Sequence, residues 1–130
     1  MKIKLLLLTA FLFFGSIVNA QVNIYSNVFV MGTPDWGTGE IIDPESFEIE
    51  TLIEINDEYG FIVVSNDAFN FTLNITDTEY SEDINVYIFD CTNPDGEPAR
   101  VNLQPNVGMI QFLLSNEGST TEIIFYFDIE

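Results

Sequence analysis

Acid–base and metal chemistry in this chain rest on one residue class. Its 130 residues hold 21 Asp and Glu, 3 Lys and Arg, no His and a single Cys. Without His there is no Ser–His or Cys–His nucleophile pair and no imidazole ligand for a metal. Both lysines, Lys2 and Lys4, lie at the extreme N-terminus, so the rest of the chain has no amine for a Schiff base. Carboxylates could serve a glycosidase, which needs two of them flanking a cleft, one with a raised pKa. No pair among the 21 stands out by spacing, and the expectation is a protein that is not an enzyme.

Carboxylates also bind hard cations, so calcium is the one cofactor the residues leave open. The candidate ligands are Asp57 and Glu58, and Asp77, Glu79, Glu82 and Asp83 in a second acidic run read as a loop. Asn93, Asp95 and Gly96 mimic the third, fifth and sixth positions of an EF-hand loop. That match fails at both anchors: Cys91 occupies the first position and Asn102 the last, where a bidentate Glu is required. A different ligand chemistry is suggested by Trp36, the only tryptophan, between Asp35 and Glu40. Gly32, Pro34, Gly37 and Gly39 argue against a regular strand there, so 32–46 reads as a long loop. Its indole either stacks on a sugar or other flat ligand or folds back to cap the end of the fold.

The sharpest local signal is Asn93-Pro94-Asp95-Gly96. Pro94 suits the first central position of a type I turn, Asp95 tolerates the second, and Gly96 takes the left-handed position of a G1 bulge. This three-residue loop pairs Asn93 with Glu97, and so sets Asp90 opposite Arg100, Phe89 opposite Val101 and Tyr87 opposite Leu103. A one-residue slip would send those side chains to the other face. Cys91, alone and in an apolar run, reads as a buried small hydrophobe.

The elements that must position these residues are strands. Val, Ile, Thr, Phe and Tyr dominate after residue 20, and good helix formers are scarce. Phe69, Phe71, Leu73 and Ile75 alternate with Asn70, Thr72, Asn74 and Thr76, a half-buried strand with a wet face. Phe47 to Ile55 alternates apolar with acidic residues, with a break at Thr51-Leu52. Segments 61–64, 84–89, 110–114 and 123–127 are apolar on both faces and read as strands covered on two sides. With 22–31 and a short strand near 100–103, this amounts to seven to eight strands. Breakers fall at 56–60, 65–67, 76–83 and 116–119. The expected fold is all-β: a single antiparallel β-sandwich or a partly open barrel, over residues 21–130.

Residues 1–20 read as a secretory signal peptide, with basic Lys2 and Lys4, an apolar run from Leu5 to Phe14, and a small-residue cleavage site ending at Ala20. The run is too short for a membrane span, and no span is expected in the mature chain. Cleavage leaves Arg100 as the lone cation against 21 acids. One Arg cannot neutralise a phosphate backbone, which excludes nucleic acid as a partner. The acids are dispersed, as on a solvated surface.

The Lys-rich start, Phe-rich apolar run and Asn19-Ala20-Gln21 junction resemble those of exported proteins of the Bacteroidota. The stretch Tyr87-Ile88-Phe89-Asp90-Cys91, with Asp95-Gly96 and then Ala99-Arg100-Val101-Asn102-Leu103, is similar to a hairpin in small secreted β proteins of that group. The resemblance implies an exported β domain and no particular activity. The expected function is therefore a binding or interaction role at the cell exterior, secreted or periplasmic, towards an extracellular protein or glycan. Alternatives are a structural role for an acidic coat, a calcium- or carbohydrate-binding module, and a barrel holding an apolar ligand in an internal cavity.

Overall fold

Alternation of apolar and polar residues becomes the two faces of one sheet. The computed structural model describes residues 21–116 and 118–128; the signal peptide read at 1–20 lies outside them. The strands are β1 (Gln21–Ser26), β2 (Val28–Pro34), β3 (Ile41–Phe47), β4 (Thr51–Asn56) and β5 (Phe61–Ser65), followed by β6 (Asn70–Ser81), β7 (Val86–Thr92), β8 (Pro98–Gln104), β9 (Met109–Asn116) and β10 (Ser119–Tyr126). All pair antiparallel in the order β1-β4-β5-β6-β7-β8-β9-β10-β2-β3.

The sheet curls into a half-barrel, because its first strand and its ninth are joined by Asn27 alone. At this corner the buried Ser26 hydroxyl lies 2.7 Å from the Tyr126 carbonyl and 2.9 Å from that of Val28. Its single proton serves one of them at a time. The corner also explains a miscount. Ten strands stand where seven to eight were expected: the expected strand at 22–31 breaks at Asn27 into β1 and β2, and β3 forms within the stretch read as a loop at 32–46. The break expected at Thr51-Leu52 falls at 48–50 instead, and β4 starts at Thr51.

Of the two expected forms the partly open barrel is the nearer, and the sandwich is not formed: one curled sheet packs its inner face on itself. Phe71 of β6 and Phe112 of β9 are separated by two strands in the sheet, yet their rings meet edge to face at 5.8 Å. Phe29 stacks on Phe47 at 5.0 Å and also touches Phe69 and Phe125. Such ring pairs stabilise by about 0.5–1.5 kcal/mol beyond the area they bury. The two-faced apolar segments therefore have a second layer on their inner side only. Val63, Ile88, Leu113 and Ile124 are half-buried on the outer face.

Three boundaries differ from the sequence reading. The loop expected at 32–46 is a hairpin, β2 and β3 joined by a tight turn. Gly32 permits it, since a Cβ there would lie 2.3 Å from the Ile41 side chain and 2.8 Å from the Ile42 carbonyl. Pro44 fits because β3 is an edge strand, where a missing N–H breaks no ladder. The breaker at 76–83 is strand as far as Ser81, with a bulge between Ile75 and Asp77 that re-phases the alternation. Ile84, read as a strand residue, sits instead in the turn before β7.

Alternating antiparallel strands send successive loops to opposite ends of the half-barrel. The turns at 35–40, 66–69, 93–97 and between β9 and β10 share one end. The loops at 57–60, 82–85 and 105–108 share the other, together with the stretch that follows β10.

Candidate functional site

At the first end each turn is closed mainly by its own residues. The Asn93 side chain accepts hydrogen bonds from the backbone amides of Asp95 and Glu97, each at 2.9 Å. Gly96 takes φ 87° and its amide reaches the Asn93 carbonyl. Pro94 and Asp95 are the exposed central residues of this turn. The bulged register follows as the loop length requires: Asp90 faces Arg100, Phe89 faces Val101 and Tyr87 faces Leu103. Arg100 meets Asp90 at 3.0 Å on an exposed face. Cys91 is buried beside them, and burial, then the Asp90 charge, push its thiol up to about 12. A thiol so perturbed is a poor nucleophile at neutral pH.

Trp36 also lies at this end, at the tip of the β2–β3 hairpin, 73% exposed. It caps nothing. The Asp35 carboxylate is engaged within the turn, accepting the Gly37 amide at 2.9 Å, and Glu40 donates its amide to the Thr38 hydroxyl. Trp36 is therefore exposed at the tip, while the Asp35 carboxylate is engaged in the turn and Glu40 takes part through its backbone.

At the opposite end two of the loops bond to each other and a third bonds to β6. Asn85 lies in the turn before β7 at φ 51°, a left-handed conformation that Asn tolerates. Its carbonyl accepts the Tyr80 hydroxyl at 2.9 Å, and its amide nitrogen donates to Asn106 of the β8–β9 loop at 2.9 Å. Thr78 donates to the Asp57 carboxylate of the β4–β5 loop at 3.1 Å. The Gly108 carbonyl accepts the Phe127 amide beyond β10. Beneath these bonds the rings of Tyr80 and Tyr87 meet at 4.5 Å. Burial, and secondarily Tyr80, push the Tyr87 phenol up to about 12. These loops present three apolar side chains to solvent: Tyr59, 74% exposed, Ile84, 68%, and Val107, 55%.

This rim is the candidate site, and most of it escapes a reading of the sequence. Asn85 and Val107 carry no recognisable motif, and Ile84 is masked by the apolar run it precedes. Of the acids singled out for calcium, Asp57, Glu58, Glu82 and Asp83 fall on this rim. Asp77 and Glu79 lie on β6, opposite Asp90 and Ile88. Among the described residues no three Asp, Glu or Cys side chains gather as a metal site.

One further polar feature crosses the outer face. Asn102 on β8 donates to Gln111 on β9 at 2.9 Å, and Gln111 donates to Glu122 on β10. Glu122 is the only buried carboxylate among the described residues, 4% exposed. An open groove of about 340 Å³ lies at the corner between Asn27, Val28, Glu48 and Glu50. It is set apart from the interior, which the phenylalanine rings occupy. No protein-family model, curated protein or solved structure matches this chain.

Proposed function

We propose that this chain is an exported, non-enzymatic binding module that engages an extracellular partner through the rim formed by Tyr59, Ile84 and Val107. One observation carries the reading. Two loops at this end are tied to each other by Asn85–Asn106, and a third is tied to strand β6 by Thr78–Asp57, so that their exposed apolar tips are held on the body of the sheet. Exposed apolar side chains carried on loops at one end, with acidic residues beside two of them, fit an interaction site. Lateral hydrogen bonds order the loops before binding, which lowers the entropy lost on association.

The test is site-specific photo-crosslinking in cells that export the protein, with the crosslinker at Ile84, Val107 or, as an off-site control, Tyr25. Discrete adducts from Ile84 and Val107 but not from Tyr25 are expected. Equal adducts from all three positions, or none from the rim, would refute the reading. A second surface is supported by the exposure of Trp36 at its hairpin tip. Trp36→Ala should leave the melting temperature unchanged there, and a loss of carbohydrate binding would assign that tip to a flat ligand.

A further inference from the structure

Resting on the rim as the binding surface, we infer that its partner is a cationic amphipathic polypeptide segment, with Lys or Arg interleaved among apolar residues. The apolar tips set one half of that chemistry. Tyr59 follows Asp57 and Glu58, and Ile84 follows Glu82 and Asp83. Any partner that covers the tips also removes water from these carboxylates. A neutral or anionic partner leaves Glu58, Glu82 and Asp83 desolvated with no cation opposite and Asp57 with only its bond from Thr78, which is strongly unfavourable, whereas a cation meets them.

The chain supplies no such cation among its described residues. Arg100 is the only one, and it is paired with Asp90 on the outer face. Two copies meeting rim to rim would bring the same acids together. An anionic lipid surface or nucleic acid meets the same repulsion. A segment carrying positive charge and apolar side chains satisfies both halves of the rim. Steering by the acidic surface would also speed its encounter, in a manner weakened by salt.

The test titrates the protein with three synthetic peptides of equal length, built from Lys and Leu, Ser and Leu, or Glu and Leu, followed by amide chemical shifts. The Lys–Leu peptide is expected to bind at least about tenfold more tightly than the Ser–Leu peptide, a difference of about 1.4 kcal/mol. Its shifts should map to 57–60, 82–85 and 105–108, and added NaCl should weaken it. Ile84→Ser with Val107→Ser should reduce that affinity by about tenfold. The shift map on the unaltered protein gives the answer independently if the variant does not fold.

Ser–Leu binding at the rim as tightly as Lys–Leu would overturn the cationic partner while leaving the rim a binding surface. Lys–Leu shifts spread over the whole acidic surface, or indifferent to Ile84 and Val107, would mean diffuse charge attraction and overturn it as well. Rim-dependent binding to phosphatidylcholine vesicles, with no preference for Lys–Leu, would assign the tips to lipid and overturn it too.

Discussion

The two ends of the half-barrel solve the same problem, satisfying backbone and side-chain polar groups in tight loops, in different ways. At the 93–97 end the bonds are mostly local: Asn93 closes its own turn, Asp35 holds Gly37, and Asn66 accepts from Ala68 and Phe69. At the rim one bond runs from loop to loop, Asn85 to Asn106, and another ties the 57–60 loop to β6, Thr78 to Asp57. A locally closed turn responds to what happens within a few residues. Loops bonded to each other, as 82–85 and 105–108 are, order one another. That difference is why the rim, and not the more conspicuous tryptophan, is taken as the principal site.

The largest effect expected lies in the interior that both ends share. Phe29, 1% exposed, packs against Phe47, Phe69 and Phe125. Phe29→Ala should destabilise by about 3–5 kcal/mol in denaturant melts. A loss below about 1 kcal/mol would mean that the ring cluster does not hold the curl. Next, Gly96→Ala forces a side chain into a left-handed conformation at φ 87°, for a loss of about 1–2 kcal/mol. Rim cross-linking should be indifferent to it.

A third effect appears only in alkali. The folded Tyr87 phenol, raised from 10.0 to about 12, binds its proton more tightly than the unfolded chain does. Its contribution is complete below pH 10 and is lost as pH rises towards 12. Tyr87→Phe should move the alkaline unfolding midpoint upward, whereas an unchanged midpoint would remove Tyr87 from the account. Cys91 shifts in the same sense, and should resist thiol labelling at pH 8 until the protein unfolds.

The sharpest probe of the two ends is smaller still. A double-mutant cycle between Asn85→Ala and Asn106→Ala should show coupling of about 0.5–1 kcal/mol, while Asn85→Ala with Asn93→Ala should be additive. Additivity in both cycles would erase the distinction between the ends. Smallest of all, Arg100→Gln should lose a few tenths of a kcal/mol, less at high salt, because its pairing with Asp90 is exposed.

The strand class, the wet face of β6, the burial of Cys91 and the register across Asn93–Glu97 were all legible in the residues. Each depends on side chains within about ten positions, through period-two alternation or turn chemistry. The acidic run at 77–83 misled because charge looks like loop, although Asp77 and Glu79 alternate with Thr78 and Tyr80 as strand residues do. The glycines and prolines around Trp36 misled for a related reason. They break a central strand but suit an edge with a bulge.

By itself, then, the sequence determined an all-β chain with strong hairpin signals and no His-based chemistry. The tertiary structure decided the rest: the corner at Asn27, one curled sheet in place of two, and the union of Tyr59, Ile84 and Val107 on one rim. Local rules see only neighbours along the chain. Closing a sheet on itself depends on accumulated twist and on contacts such as Phe71 with Phe112, between strands that the chain separates by two others.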